Sequence, residues 1–259
     1  MKLQTLGCWG GYPYQEQGTT SFLLTGEDGF TLLIDCGSRA LNELEKIMSP
    51  LDLDAVIISH YHPDHVADLG VLRHYRQLYP KDQWTPRVLP IYGHTEDAHE
   101  FAKLTIPDVS EGIAYGPNQA FTIGSFTIKV MKTVHPVPCY AMKIAEQATG
   151  QVLVFTGDTG YFDGLADFAS GADLFLADVY FYEGKENHPA HLTSKEAGLI
   201  AKEANVKKLI LTHLPQFPEP HISPDNHLET LRQQAQHWAE RIPVELAQPH
   251  KVWDLGDLT

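Results

Sequence analysis

The sequence predicts an α/β protein, more closely an α+β sandwich, in which two mixed β-sheets face each other and helices lie outside them. Each half of the chain begins with apolar runs typical of strands and then alternates strand and helix patterns. At 259 residues, with 43% hydrophobic and 20% charged residues, the chain is long enough to bury a sizeable core. Because no low-complexity linker divides it, we expect residues 1–259 to form one domain.

The first half of the chain combines short strands with three helices. Strands are predicted at residues 2–6, 20–25, 30–34, 55–58 and 87–91. Ser38 is predicted to cap the first helix, and a second helix carries Leu69 and Leu72 at helical spacing. The third helix ends at about Lys103. Residues 107–124 are rich in Gly, Pro and Asn, which predicts a loop that could include a hairpin and is either a connector or a cover for a site.

The second half repeats this order. Strands are predicted at residues 126–133, 140–144, 151–155, 174–177 and 207–211. Thr193 and Glu196 form a capping-box pattern, so a helix should begin just after His191. Ser223 and Pro224 are predicted to open the last helix.

A cluster of potential metal ligands follows the strand at residues 55–58. His60, His62, Asp64 and His65 lie within six residues of one another. Neutral imidazole and carboxylate are the groups that zinc and similar ions prefer. A polar loop that is rich in histidine by chance is the alternative, but this density of ligand side chains favours a metal site. His135, Asp158 and His213 extend the pattern, since each also follows an apolar strand, where α/β sheets gather their sites.

Composition narrows the range of partners. The net charge of −14 argues against broad attraction to long nucleic acid, although a local cationic metal site could hold a small anionic substrate. The three cysteines, Cys8, Cys36 and Cys139, are odd in number and widely spaced, which predicts a reducing compartment without disulfides. No apolar signal core or stretch of transmembrane length is present, so we expect a cytoplasmic protein with no membrane partner.

The ligand-bearing motifs and their order resemble the metallo-β-lactamase superfamily over nearly the whole chain. The motifs are Asp35-Cys36-Gly37, the HxHxDH cluster at residues 60–65, Thr133-Val134-His135-Pro136, Phe155-Thr156-Gly157-Asp158-Thr159 and Leu211-Thr212-His213. The resemblance implies a four-layer αββα fold with two divalent ions in the cleft between its halves. The implied ligands of one ion are His60, His62 and His135, those of the other are Asp64, His65 and His213, and Asp158 would bridge both.

The chemistry of these ligands agrees with a binuclear centre, because two divalent ions this close need a shared anionic ligand. Histidine and carboxylate suit Zn²⁺ best, while Mn²⁺ and Fe²⁺ accept similar sets. Asp35 is expected to support the loop that carries His60 by hydrogen bonding. Related enzymes often form dimers, so the resemblance also implies a homodimer.

A narrower resemblance, to the ribonuclease Z branch, lies in His191-Leu192-Thr193. That branch carries a catalytic histidine in an HxT stretch before a helix and an acidic residue that orients it, a place that Asp178 occupies here. The branch also has an arm that grips transfer RNA, inserted between the motifs that hold His135 and Asp158. The short segment between those two residues leaves no room for an arm. This departure, together with the negative charge, favours a smaller phosphodiester as the substrate.

The leading hypothesis is therefore a metal-dependent phosphodiesterase that cleaves a small phosphodiester or nucleotide with a metal-bridging hydroxide. Asp64 would be a ligand and proton acceptor, His191 would stabilise or protonate the leaving oxygen, and Asp178 would orient His191. Three alternatives stay open: a ribonuclease Z-type endoribonuclease that processes the 3′ end of transfer RNA, a lactonase or thioesterase that uses the same centre, and a non-catalytic metal sensor.

Overall fold

The computed structural model describes residues 1–79, 87–117 and 119–258. Within these ranges the strands are β1 (Lys2–Trp9), β2 (Gly18–Thr19), β3 (Ser21–Thr25), β4 (Thr31–Ile34), β5 (Ala55–Ile57), β6 (Leu89–His94), β7 (Ser110–Tyr115), β8 (Phe121–Ile123), β9 (Phe126–Lys132), β10 (Tyr140–Glu146), β11 (Val152–Phe155), β12 (Leu174–Asp178), β13 (Lys208–Thr212), β14 (Val244–Leu246) and β15 (Val252–Asp254). The α-helices of the same ranges are α1 (Ala40–Glu45), α2 (Pro63–Val66), α3 (Leu69–Leu78), α4 (Ala98–Ala102), α5 (Leu165–Ala169), α6 (Ser194–Ala204) and α7 (His227–Ala239).

The strands form two mixed sheets. The first has the order β15-β1-β3-β4-β5-β6-β7, with β2 paired to β1, and the second has the order β14-β13-β12-β11-β10-β9-β8. Strands β4 to β7 run parallel to one another, as do β11 to β14. The carboxyl ends of each parallel set therefore lie at one edge of its sheet, where the turns after the strands can meet.

The sheets face each other across an apolar core. Phe22 of the first sheet and Phe155 of the second are fully buried, and their rings meet edge to face at 5.8 Å between centroids. Burying each such side chain contributes about 1.5–3 kcal/mol. On the outer face of the first sheet, Leu44 of α1 and Leu72 of α3 are buried in a second apolar cluster with Leu33 of β4. This arrangement confirms the predicted four-layer sandwich.

Several predicted boundaries were wrong. Ser38 does not cap α1: its carbonyl accepts from Thr19 N–H at 3.2 Å instead, and Arg39 stands at the N-cap without a side-chain hydrogen bond. The last helix begins at His227 rather than at Ser223, since a single 3₁₀ turn comes first. Residues 107–124 contain more strand than a loop would: β7 and β8 lie there, at the edges of different sheets, and β8 forms a hairpin with β9. Asn118 lies outside the described residues.

Other expectations hold. Thr193 caps α6 in the predicted capping box, with Glu196 N–H donating to Thr193 Oγ1 and the Glu196 carboxylate accepting from the Thr193 backbone. The three cysteines are buried and form no disulfide. In the ranges that the structure covers, the helices are too short or too polar to cross a membrane.

Candidate metal centre

All seven residues predicted as metal ligands lie together, in the turns that follow strands of the two sheets. His60 and His62 follow β5, and the short helix α2 then supplies Asp64 and His65. The other three follow strands of the second sheet: His135 comes after β9, Asp158 after β11 and His213 after β13. Their ligand atoms form two groups that share Asp158. Their roles as ligands remain predictions.

The first ligand group comprises His60, His62, His135 and Asp158, whose ligand atoms lie within 4.8 Å of one another. His62 Nδ1 is 3.1 Å from both His60 Nε2 and His135 Nε2. On the far side of its ring, His135 Nδ1 lies 3.0 Å from the carbonyl oxygen of Ala190 and can donate to it, which leaves the Nε2 lone pair for the centre. Three imidazole nitrogens thus converge on one point, as a metal ion requires.

The second ligand group comprises Asp64, His65, His213 and Asp158. Asp64 Oδ2 is 3.1 Å from His213 Nε2, and Asp158 contacts His65 Nε2 through Oδ1 at 3.2 Å and His213 Nε2 through Oδ2 at 3.3 Å. His213 has a positive φ of 54°, a strained conformation for a residue other than glycine. Because Asp158 presents one oxygen to each histidine here and also belongs to the first group, it can bridge two ions.

Asp35 orients histidines of both groups from beneath the centre. Its Oδ2 accepts from His65 Nδ1 at 2.7 Å and from Ser59 Oγ at 2.7 Å, while Oδ1 accepts from Ser59 N–H. Ser59 Oγ in turn lies 3.1 Å from His60 Nδ1, so that ring can donate to it. Both rings then turn Nε2 toward the centre, and the support that the sequence predicted for Asp35 extends to His65 as well.

The electrostatics of the two groups differ. Burial lowers the pKa of His60, His62 and His135 below the ordinary histidine value, which favours the neutral, metal-binding form. Burial also acts to lower the pKa of His65, but the charges of Asp158 and Asp35 outweigh it and raise that pKa to about 10.

The donor set fits divalent cations. For Asp158, burial raises the pKa, but the charges of His213 and His65 lower it further, so the net shift is downward and the carboxylate stays ionised. Among the described residues, Asp158 Oδ1 and His65 Nε2 are buried without a hydrogen-bond partner. A buried, ionised carboxylate oxygen without a hydrogen-bond partner is what a divalent ion satisfies.

His191 and Asp178 form the pair that the sequence predicted. His191 Nδ1 lies 2.9 Å from Asp178 Oδ2, and that oxygen also accepts from the Thr159 N–H. The His191 ring stacks on His213 with 4.9 Å between centroids, and 17% of its side chain is exposed. Asp158, Asp178, His191 and His213 are close enough to form a third ligand group. We infer that His191 and Asp178 lie outside the metal ligands, because His191 Nδ1 and Asp178 Oδ2 are engaged with each other.

Sequence reasoning missed two parts of the site. Gly11 N–H donates to Asp64 Oδ2 at 2.7 Å, and the buried side chain of Gln216 holds the turn that carries Gly11. The sequence alone assigns no role to Gly10, Gly11 or Gln216. No local pattern signals these contacts, because they join residues far apart in the chain.

A cavity of about 930 Å³ lies beside the centre rather than in it. Trp9, Tyr14, Leu214, Gln216 and Phe217 are part of its lining. The seven predicted ligands, all of them described residues, do not line this cavity. The case for the site therefore depends on side-chain chemistry and not on cavity size.

Comparison with known proteins places the chain in a family. Residues 31–214 match the model of the beta-lactamase superfamily domain. The chain is 43% identical over 218 residues to the Probable metallo-hydrolase YhfI of Bacillus subtilis, a match that covers 84% of this chain and 88% of that relative. It is 29% identical over 246 residues to a ribonuclease Z of Brevibacillus brevis, covering 72% and 76% of the two chains.

Solved structures agree. The crystal structure of the metallo-β-lactamase fold protein YhfI from Bacillus subtilis matches with a TM-score of 0.88 and 39% identity, over 98% of this chain and 99% of that one. The short form of human tRNase Z matches with a TM-score of 0.71 and 21% identity, over 98% and 99%, which is a likeness of fold. This chain belongs to the beta-lactamase superfamily, and it is a metallo-hydrolase of that fold.

Proposed function

We propose that this metallo-hydrolase is a binuclear phosphodiesterase that cleaves a small, nucleotide-sized phosphodiester. The observation that carries the proposal is the His191–Asp178 pair, held at 2.9 Å beside both ligand groups. Departure of an alkoxide from phosphorus gains from a proton donor, which is the part that this pair would play.

His60, His62 and His135 would hold one divalent ion, Asp64, His65 and His213 the other, and Asp158 both. We favour Zn²⁺, since all seven are histidines or carboxylates. When bound, the ions would lower the pKa of a coordinated water from 15.7 to about 7 and would polarise the phosphoryl oxygens.

Asp64 is the proposed proton acceptor. Burial raises its pKa, but the hydrogen bond from His213 and the charges of His65 and His213 lower it further, so the carboxylate is ionised at neutral pH. Its Oδ2 is occupied by Gly11 N–H and faces His213 Nε2. Oδ1 is therefore the atom that would accept a proton as the nucleophile attacks.

His191 is the proposed proton donor. With Nδ1 bonded to Asp178 Oδ2, its other ring nitrogen, Nε2, remains for the substrate. A proton on Nε2 would pass to the leaving oxygen. Asp178 would hold the ring in this orientation and is itself anchored by the Thr159 N–H at 3.0 Å.

The small size of the substrate is inferred from the segment between His135 and Asp158. Residues 136–157 lead into β10 and β11, which pair with each other as neighbouring antiparallel strands inside the sheet. A segment used in this way does not project to grip a long RNA, and the net charge of −14 disfavours one. Processing of transfer RNA remains the second candidate, because relatives of this chain carry the names ribonuclease Z and ribonuclease BN.

The test is the variant His191→Ala, assayed with a dinucleoside monophosphate, whose leaving group is a sugar alkoxide that needs a proton to depart. Removal of a general acid should lower kcat by about 10²–10⁴-fold while metal content per chain stays unchanged. His74→Ala, on the exposed face of α3, is the matched control and should keep wild-type turnover. Equal turnover of His191→Ala and wild type on this diester would contradict the role.

Two further substrates separate the candidate functions. An acyl lactone hydrolysed faster than the diester, with no effect of His191→Ala, would indicate carbonyl chemistry. Cleavage of a precursor transfer RNA with a higher kcat/KM than any small diester would instead favour the ribonuclease reading.

A further inference from the structure

A turn that supplies none of the predicted ligands lies directly against the second ligand group. Gly11 N–H donates to Asp64 Oδ2 at 2.7 Å. At Gly10, an added Cβ would lie 2.5 Å from His213 Nδ1 and 2.9 Å from the ring of Tyr180, so only glycine allows this approach. Gly11 has a positive φ of 73°, which also favours glycine. The turn thus contacts two of the predicted ligands through bare backbone.

Gln216 holds this turn from the other side. Its side-chain Nε2 donates to the carbonyl oxygens of Gly10 and Tyr12, the latter at 2.9 Å. The residue is 2% exposed and lies three positions beyond His213. Two carbonyl partners fix the amide orientation, because the reverse orientation would turn Oε1 toward both carbonyl oxygens. Backbone pairing supports the same junction, since Gly10 N–H donates to the Leu214 carbonyl at 3.1 Å.

We propose that Gln216 is a positioning residue for the second ligand group. By holding the carbonyls of Gly10 and Tyr12, it keeps Gly11 N–H on Asp64 Oδ2, the oxygen that lies 3.1 Å from His213 Nε2. That hydrogen bond fixes the rotation of the Asp64 carboxylate and so the direction in which its oxygens point. Outer residues that orient metal ligands in this way typically change metal affinity by 10–100-fold.

The consequences differ between the two groups. Gln216 reaches Asp64 through Gly11 and His213 through the chain. In the first group, His60 is oriented by Ser59 and His135 by the Ala190 carbonyl instead. Loss of the Gln216 amide should therefore weaken the second ligand group alone. The effect on turnover rests on the proposed function, but the effect on metal affinity does not.

The decisive experiment compares the same substitution at two glutamines of this region. Gln216→Glu keeps the size of the side chain but removes the N–H donor. Gln17→Glu, the control, keeps the Oε1 acceptor that receives Trp9 Nε1–H at 3.0 Å. The two Zn²⁺ affinities are measured by calorimetric titration of the metal-free proteins, and the step lost in Asp64→Ala identifies the second ligand group.

We expect Gln216→Glu to weaken the Zn²⁺ affinity of the second ligand group by about tenfold and that of the first group by less than about twofold. Gln17→Glu should have the wild-type Zn²⁺ affinity at both groups. With bis(p-nitrophenyl) phosphate, kcat should fall by about tenfold with KM nearly unchanged. Wild-type affinity at both steps in Gln216→Glu would overturn the proposal. If wild type itself did not hydrolyse the diester while the affinity difference between wild type and Gln216→Glu remained, only the proposed function would be contradicted.

Gln216→Met guards against a variant that fails to fold, because it is apolar, similar in length and introduces no buried charge. Amide hydrogen exchange provides a measurement on wild type as well. The Gly11 amide should be strongly protected in wild type and exchange at least about tenfold faster in Gln216→Met. Exchange of Gly11 in wild type at the rate of an unprotected amide would also overturn the proposal.

Discussion

The two ligand groups share Asp158, but the pKa values of their histidines are shifted in opposite directions. In the first group, burial lowers the pKa of His60, His62 and His135, so these rings are ready to bind an ion as neutral ligands. In the second group, carboxylates raise the pKa of His65 to about 10. At neutral pH the histidines of the first group are therefore neutral, whereas His65 in the adjacent second group is protonated.

The difference comes from what lies behind each histidine. His65 Nδ1 contacts the Asp35 carboxylate at 2.7 Å, and His213 Nδ1 lies 3.3 Å from Asp178 Oδ1. Behind His135, by contrast, stands a neutral backbone carbonyl, that of Ala190. A carboxylate behind the ring makes it a stronger ligand but also a stronger base. Ions and protons must then compete in the second group, and much less so in the first.

The largest effect should follow from changing the shared ligand. Asp158→Asn keeps the size of the side chain but removes the charge that both ions would need, so metal content should fall below one ion per chain and turnover by more than about 100-fold. Metal analysis after gel filtration and a steady-state assay measure the two quantities. Asp225→Asn, an exposed aspartate, is the control. Two retained ions in Asp158→Asn would contradict a bridging role.

A pH titration separates the two groups directly. Between pH 6.5 and 8.5 the metal-free protein should carry a proton on His65, because this range lies below its raised pKa of about 10. Binding to the second group must release that proton, so its affinity should rise by up to about tenfold per pH unit. The first group, with lowered histidine pKa values, should show little dependence over the same range.

Calorimetry in two buffers of different ionisation enthalpy measures the released protons for each binding step. Release of about one proton or more in one step and close to none in the other is the expected result. Equal proton release in both steps would show that the two groups do not differ as the geometry indicates.

The sequence was informative where ligands are local. Four of the seven predicted ligands occupy residues 60–65, and the others each follow an apolar strand, so the order of motifs and the sandwich could be predicted. What could not be predicted are contacts between distant segments. Gln216 reaches Gly10 across 206 positions and Gly11 reaches Asp64 across 53, and neither Gln216 nor Gly11 belongs to a recognised motif.

The boundary errors have the same origin. Ser38 has the composition of a helix cap, but pairing with Thr19 of β2 takes its backbone away from that role. The Gly- and Pro-rich stretch at residues 107–124 looks like a loop, yet β7 and β8 form there because neighbouring strands offer hydrogen bonds. In both cases tertiary partners override local preference.

The smallest effect, and the sharpest test of the comparison, is expected for Ser59→Ala. Ser59 Oγ lies between His60 Nδ1 and Asp35 Oδ2, at 3.1 and 2.7 Å, so the variant leaves His60 without its acceptor. Asp35 keeps His65 Nδ1 and the backbone N–H of Ser59. The loss of about 1 kcal/mol should therefore fall on the first group, as a roughly fivefold weaker affinity, with little change at the second.

Stepwise Zn²⁺ titration of Ser59→Ala measures this, with exposed Ser49→Ala as the control. A selective loss at the first group would mean that Ser59 insulates His60 from Asp35, presenting a hydroxyl to one ring while the carboxylate itself meets the other. An equal loss at both groups would mean that Ser59 acts through Asp35 as a whole. In that case the neutral character of His60 would owe little to this hydroxyl, and burial alone would account for the difference between the two groups.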